Sequence, residues 1–180
     1  DANFNKSIYA GFEAFLRNLK IPFPENSLKA DEKLYRLYFH WIINNNLVVN
    51  SEIRSENFDY KEDIPIYPKD LRTLYVPTEI RYFNPNGFFA SVSSNYVNQN
   101  LNPIDPTDKE EDRFNSSFTL FDLTLGYRLP KQLGLISLDI KNLFDTNFVY
   151  KDRNFLANES VYLSRILPSR MLFARVVLNF

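Results

Sequence analysis

The chain contains no cysteine, which removes disulfides and thiolate metal ligands from consideration. Its one histidine, His40, leaves nucleophilic and zinc-dependent mechanisms short of the groups they need. No enzyme activity and no cofactor are expected on that basis. The formal net charge is -1 and no basic run stands out, so the field that would gather nucleic acid is missing. No segment reaches the roughly 18 to 20 consecutive apolar residues of a membrane-spanning helix. The longest candidate, residues 34–49, is broken by Arg36, His40 and Asn44 to Asn46. The opening residues, Asp1 to Asn5, lack the basic start and apolar core of a signal peptide, so the expectation is a processed chain or a piece of a longer one.

What is abundant is aromatic: 11 Tyr, 17 Phe and one Trp, types that favour strands and membrane interfaces. They fall in runs of period two. Near the end, Leu172, Ala174, Val176, Leu178 and Phe180 alternate with Met171, Phe173, Arg175, Val177 and Asn179, and the pattern runs to the final aromatic. Upstream, Ile136, Leu138 and Ile140 oppose Ser137, Asp139 and Lys141. Phe121, Leu123, Leu125, Tyr127 and Leu129 oppose Asp122, Thr124, Gly126 and Arg128, and residues 130–134 join these two runs as a tight hairpin. Leu74 to Tyr82 and Phe88 to Tyr96 flank Asn84-Pro85-Asn86-Gly87, a strong turn signal. Pro77 cannot donate a ladder hydrogen bond, which predicts a bulge there or a displaced strand.

Residues 35–43 and 47–56 alternate about an Asn44-Asn45-Asn46 turn, and residues 8–16 form one more run. Ile8, Phe12, Phe15, Leu16 and Leu19 also recur at helical spacing, so residues 1–43 admit a helix by local pattern. Context favours strand, because a helix over 30–43 would be apolar almost all round. The expected fold is all-β in a single domain over residues 1–180: about eight up-and-down antiparallel strands of about ten residues, as in an outer-membrane barrel. Short turns near 44–46, 84–87 and 130–134 alternate with long polar connections at 20–31, 57–71, 101–115 and 145–168, an asymmetry such barrels show. Aromatics at strand ends (Tyr35, Trp41, Tyr82, Phe88, Tyr96 and Tyr127) suit interface girdles.

By parity one face of these strands carries Glu13, Arg17, Arg36, His40, Glu52, Arg54, Glu79, Arg81, Asp122, Arg128, Asp139, Lys141 and Arg175. Signs are closely mixed, which suits a lumen-facing wall of paired charges more than a selective ionic site. His40, beside Arg36, is expected to be structural. The acidic clusters at Asp105 to Asp108 and Glu110 to Asp112 fit a solvated loop, with calcium a weak alternative.

Asn142-Leu143-Phe144-Asp145 follows the strand ending Ile140-Lys141. It comes after a Gly-Tyr-Arg step at Gly126 to Arg128 and before Pro168-Ser169-Arg170. In letters and order this resembles the C-terminal barrel section of TonB-dependent outer-membrane receptors. The likeness is specific over residues 116–180 and rests upstream on strand pattern alone. Ser169 stands where the family more usually has Gly, and Phe148 to Tyr150 match its following aromatic loosely. The motif itself reads as a strand end and turn, with Asn and Asp bonded to the backbone. The resemblance implies a barrel of roughly 22 strands whose earlier strands and plug lie upstream. It implies insertion by the barrel-assembly machinery, which would read the closing Leu172, Ala174, Val176, Leu178 and Phe180. It further implies a periplasmic C-terminus, coupling to the TonB complex through the plug, and uptake of a scarce ligand such as an iron chelate, vitamin or sugar. Two other readings fit the pattern: a self-contained eight-stranded barrel with a structural, adhesive or porin-like role, and a soluble all-β binding domain.

Overall fold

A computed structural model describes residues 2–3, 7–22, 27–61, 69–102, 114–150 and 169–179. The described chain is all-β and forms one antiparallel sheet in which every strand pairs with its neighbours in sequence. The strands are β1 (Ala2–Asn3), β2 (Ile8–Pro22), β3 (Ser27–Asn44), β4 (Leu47–Tyr60), β5 (Asp70–Phe83), β6 (Phe88–Asn102), β7 (Phe114–Leu129), β8 (Gly134–Lys141) and β9 (Met171–Leu178). Eight are full strands, the number the alternation suggests, and β1 adds a two-residue step on the edge of β2. The sheet does not close: no pairing joins β9 to β1 or β2 among the described residues.

Helical spacing in the first 43 residues does not prevail. Ile8 pairs with Trp41 and Pro22 with Ser27, so β2 and β3 form one long hairpin. This corrects the long polar connection expected at 20–31, most of which is ladder; the expectation missed it because Lys20, Lys29 and Asp31 carry no apolar alternation. Strands β2 to β7 run to 14–18 residues, longer than the expected ten. In their extra length the outer face turns polar and apolar residues move to the inner face, and side-chain bonds support the ladder: Asn102 Nδ2 donates to both Asp70 carboxylate oxygens (3.1 and 2.9 Å), and Gln99 Nε2 donates to Thr73 Oγ1 at 3.1 Å. Pro77 produces no register shift. It pairs with Asn95 on β6 and leaves a gap in the ladder towards β4 between Thr78 and Tyr75, since it has no N–H to give.

The turns follow their residues. Asn44 Oδ1 accepts from the Asn46 N–H (2.8 Å), and Asn84 Oδ1 from the Asn86 N–H (2.9 Å), each a side chain standing in for a turn carbonyl. The third hairpin passes through a 3-10 turn, Pro130–Gln132, and returns at Gly134 with φ of +138°. A Cβ at Gly134 would lie 1.9 Å from the Val177 carbonyl oxygen, so only glycine lets β9 approach β8 there.

Register separates the side chains onto two faces. On the outer face, consecutive partners Val49, Ile80, Val92, Leu123, Ile140 and Leu172 form an unbroken apolar row across β4 to β9. Trp41, Tyr82, Phe88 and Tyr127 edge this band near the short turns, with Tyr35 and Tyr96 towards the other end. These six aromatics share the face, as their parity requires. On the inner face lie the buried apolar residues Ala30, Phe58, Tyr60, Leu71, Val97 and Leu101, gathered towards the long-connection end.

Candidate functional site

The inner face holds a groove of about 480 Å³ whose lining runs from Arg36 and His40 on β3, through Asn50 and Glu52 on β4, Glu79 on β5, Ser93 and Asn95 on β6 and Asp122 on β7, to Lys141 on β8. One groove lined by six adjacent strands requires this face to be concave. A single cross-strand row, His40, Asn50, Glu79, Ser93 and Asp122, forms its floor.

The charges pair as their mixed signs imply. Arg36 is the hub: its Nε donates to Glu52 (2.8 Å), its guanidinium reaches Glu13 (3.2 Å), and it lies 4.8 Å from the Tyr38 ring centre. Arg54 faces Arg36 across the ladder, a like-charge pair relieved by Glu56 at 3.2 Å and by the Tyr75 ring beneath the guanidinium at 4.6 Å. Arg81 pairs with Glu79 (2.8 Å), Lys141 with Asp122 (2.9 Å), and Arg17 with Glu32. Asp139 accepts from Thr124 Oγ1 at 2.7 Å. The His40 imidazole donates through Nδ1 to the Asn50 side-chain oxygen, which gives it a structural partner. All these residues lie on the inner face.

Of the expected wall, Arg36, His40, Glu52, Glu79, Asp122 and Lys141 line the groove, Glu13, Arg17, Arg54, Arg81 and Asp139 lie on the same face outside its lining, and Arg128 and Arg175 stand apart from the paired charges. Arg128 sits at the short-turn end against the rings of Phe83 (5.4 Å) and Phe89 (6.0 Å). The Gly-Tyr-Arg step explains this arrangement: the Phe89 ring occupies the space a Cβ at Gly126 would fill, which brings it under Arg128. Arg175 lies on β9 opposite Ser137 and has no ion-pair partner among the described residues. Just past the end of β4, the exposed Lys61 ammonium has its pKa raised above its ordinary value by the Asp31 carboxylate of β3 at 2.5 Å, chiefly through their hydrogen bond.

The segment after β8 is a turn with both polar residues bonded to the backbone. Asn142 adopts a left-handed φ of 50° and Asp145 one of 55°. The Asn142 N–H donates to Asp122 Oδ1 (2.9 Å), and its side chain closes a ring with the Thr146 backbone, accepting from the N–H at 2.9 Å and donating to the carbonyl at 3.0 Å. Asp145 Oδ1 accepts from the Arg170 N–H (2.8 Å), joining the turn to the entry of β9. The Leu143 N–H donates to the Phe121 carbonyl (2.7 Å), and the exposed Phe144 ring meets Phe121 edge-on at 5.3 Å, on the outer side.

Beyond this turn the chain enters the concave face, which the strand pattern did not indicate. Phe148 stacks on Phe118 at 4.5 Å, the Val149 carbonyl accepts from Ser116 Oγ at 2.8 Å, and the Tyr150 hydroxyl meets that of Tyr75. Val149 packs against the buried cluster of Ala30, Phe58, Tyr60, Leu71 and Leu101. The sequence signal was the aromatic pair Phe148 and Tyr150 after the motif, which matched the family loosely and had no assigned role.

Leu172, Ala174, Val176 and Leu178 share the outer face of β9, while Phe180 lies outside the described residues. So do the acidic stretches at 105–108 and 110–112. Among the described residues no group of three or more His, Cys, Asp or Glu side chains is placed to hold a metal ion. The sequence matches no family model, and no curated protein or solved structure matches it at a significant level.

Proposed function

We propose that this chain is wall of a bacterial outer-membrane β-barrel of the TonB-dependent receptor type, its outer face against lipid and its inner face lining the path of a small ligand taken up from outside. The observation that carries this reading is the division of the two faces. The outer band is apolar across eight strands and edged by aromatics, with Phe12, Leu37, Ile53, Ile80 and Val92 each about half exposed or more. Contiguous apolar surface on that scale exceeds what a soluble monomer ordinarily presents. Charged groups lie on the other side, paired, as in a polar lumen.

The open edges favour a section of a larger barrel over a self-contained eight-stranded one, because an unpaired edge in the hydrocarbon layer leaves backbone groups unsatisfied. The receptor type rests on the Asn142-Leu143-Phe144-Asp145 motif and its place between β8 and β9. In this reading the short turns and the C-terminus are periplasmic, and the alternating outer residues of β9 serve insertion by the barrel-assembly machinery. Iron chelates, vitamins and sugars are the ligand classes, and the TonB complex is the energising partner through a plug.

Trp41 provides the test, since it is the one tryptophan and projects from the outer band. In vesicles of lipids brominated along the acyl chain, its fluorescence should be strongly quenched. Emission unaffected by brominated lipid would place the band in water and remove the membrane reading. The receptor type is checked separately by crosslinking the intact protein in cells, where absence of any link to TonB sinks it.

A further inference from the structure

We infer that residues 146–150 form an inward strap that sets the size of solute able to reach the polar groove from the long-connection side. The inference rests on the barrel reading above and adds a specificity-determining element to it.

Register shows where the strap lies. Tyr75, Val97 and Phe118 are cross-strand partners in one row over β5, β6 and β7. Phe148 stacks on Phe118 at one end of that row and Tyr150 meets Tyr75 at the other. Val97, between them, is 6% exposed. The strap therefore crosses the strands at right angles along this row. Three strands at about 4.8 Å spacing need a crossing of roughly 10 Å; the two extended steps from Phe148 to Tyr150 cover about 7 Å of it, and the rings at either end reach the rest.

Burial on the concave face continues outward from this crossing. Thr73 and Gln99, one row further out, are 5% and 0% exposed, and Ser116 in that same row holds the Val149 carbonyl. The groove lies on the opposite side, beginning one row towards the short turns at Asn95 and Glu52, with Arg36 reaching into it from the strap's own row on β3. A solute that follows β5 to β7 inward from the long-connection end passes the strap before it meets the groove. Both ends of the strap are fixed, by the Asn142 ring with the Thr146 backbone and by Tyr150 on Tyr75, so the opening is narrowed by a held segment.

The natural chain has no cysteine, so single introduced ones report without background. Ser93→Cys places a thiol in the groove and Asn147→Cys one at an exposed strap position. Intact cells carrying the full protein are treated with membrane-impermeant maleimides, one small and one bearing a large polyethylene glycol. In the otherwise natural protein S93C should react with the small reagent and resist the large one. Adding F148A and Y150A, which removes both ring contacts, should raise labelling of S93C by the large reagent about tenfold or more. Should the double variant fail to accumulate in the membrane, Y150A alone is read the same way. Ready labelling of N147C with the S93C size cut-off unchanged by the variants would overturn the strap. N147C that stays unlabelled on intact cells would instead overturn the outer-membrane reading, and the strap's role with it.

Discussion

Replacing Val92 by arginine separates lipid from water at the outer face more sharply than any other single change. Val92 sits between Ile80 and Leu123 in the apolar row, and its side chain is 47% exposed. On β6 the outer residues from Phe88 to Tyr96 span about 27 Å along the strand, or about 21 Å across a bilayer at a tilt of about 40°. Val92 is their midpoint, so in a membrane its side chain lies near the bilayer centre. Arginine there costs about 2–4 kcal/mol, whereas the same substitution at a half-exposed position in water falls within about 0.5 kcal/mol. The matched control is Ser93→Arg, one residue along and facing inward between Glu79 and Asp122, where a cation meets carboxylates and the change should be neutral or slightly favourable. Reversible urea unfolding in phospholipid vesicles, followed by Trp41 emission, gives both values. Equal costs for V92R and S93R would refute the assignment of the outer face to lipid.

Other substitutions test the local geometry. Gly134→Ala forces a Cβ onto the Val177 carbonyl at a φ of +138°, so β8 and β9 should lose pairing and stability should fall by about 2–3 kcal/mol or more, read from the same unfolding midpoint. Asn142→Ala removes both bonds to the Thr146 backbone from a buried left-handed position, and should cost about 1–3 kcal/mol. Limited proteolysis should then cut within 143–150 faster than in the natural chain, while cleavage unchanged in rate would argue against the strap's anchoring. Arg36→Ala leaves Glu13 and Glu52 without their shared cation, but all three are at least partly exposed, so the loss should stay near about 1 kcal/mol and shrink in high salt.

Period-two alternation made the fold legible, because every second residue from β2 to β9 faces one side and a slip of one would reverse the faces. The Asn-rich turns at 44–46 and 84–87 were legible for the same local reason: Asn closes a turn with its own side chain, whatever the rest of the chain does. Strand ends were not. On β5 and β6 the outer positions Asp70, Asn98 and Asn100 are polar while Leu71, Val97 and Leu101 carry the apolar pattern on the other face, and the β2–β3 ladder runs on past Leu19 to Pro22 opposite Ser27. Placement of the wall charges on one face followed from parity, but their partners did not. Arg36 bonds Glu13 and Glu52 on the two flanking strands, contacts that depend on a register alternation fixes only to within two residues. The strap was invisible because Thr146 to Tyr150 has no period and its partners, Tyr75, Ser116 and Phe118, lie more than 25 residues away in sequence.

Those distant contacts bear on where the molecule's stability resides. A water-soluble sheet of this size buries one face against a second layer, yet among the described residues the buried apolar ones are few and cluster at the long-connection end around Val149. The middle of the concave face is polar and open, and the outer face is apolar and open. Neither arrangement holds a long-stranded sheet together in water by hydrophobic burial. Under the membrane reading the assignments reverse: ladder hydrogen bonds become obligatory where no water competes for them, and the outer side chains are solvated by acyl chains. What remains to be packed by protein is the one place where the inner face must be closed against solutes, and the strap and its buried cluster occupy that place. Loss of the strap should therefore leave most of the sheet intact in lipid and change chiefly what can enter it.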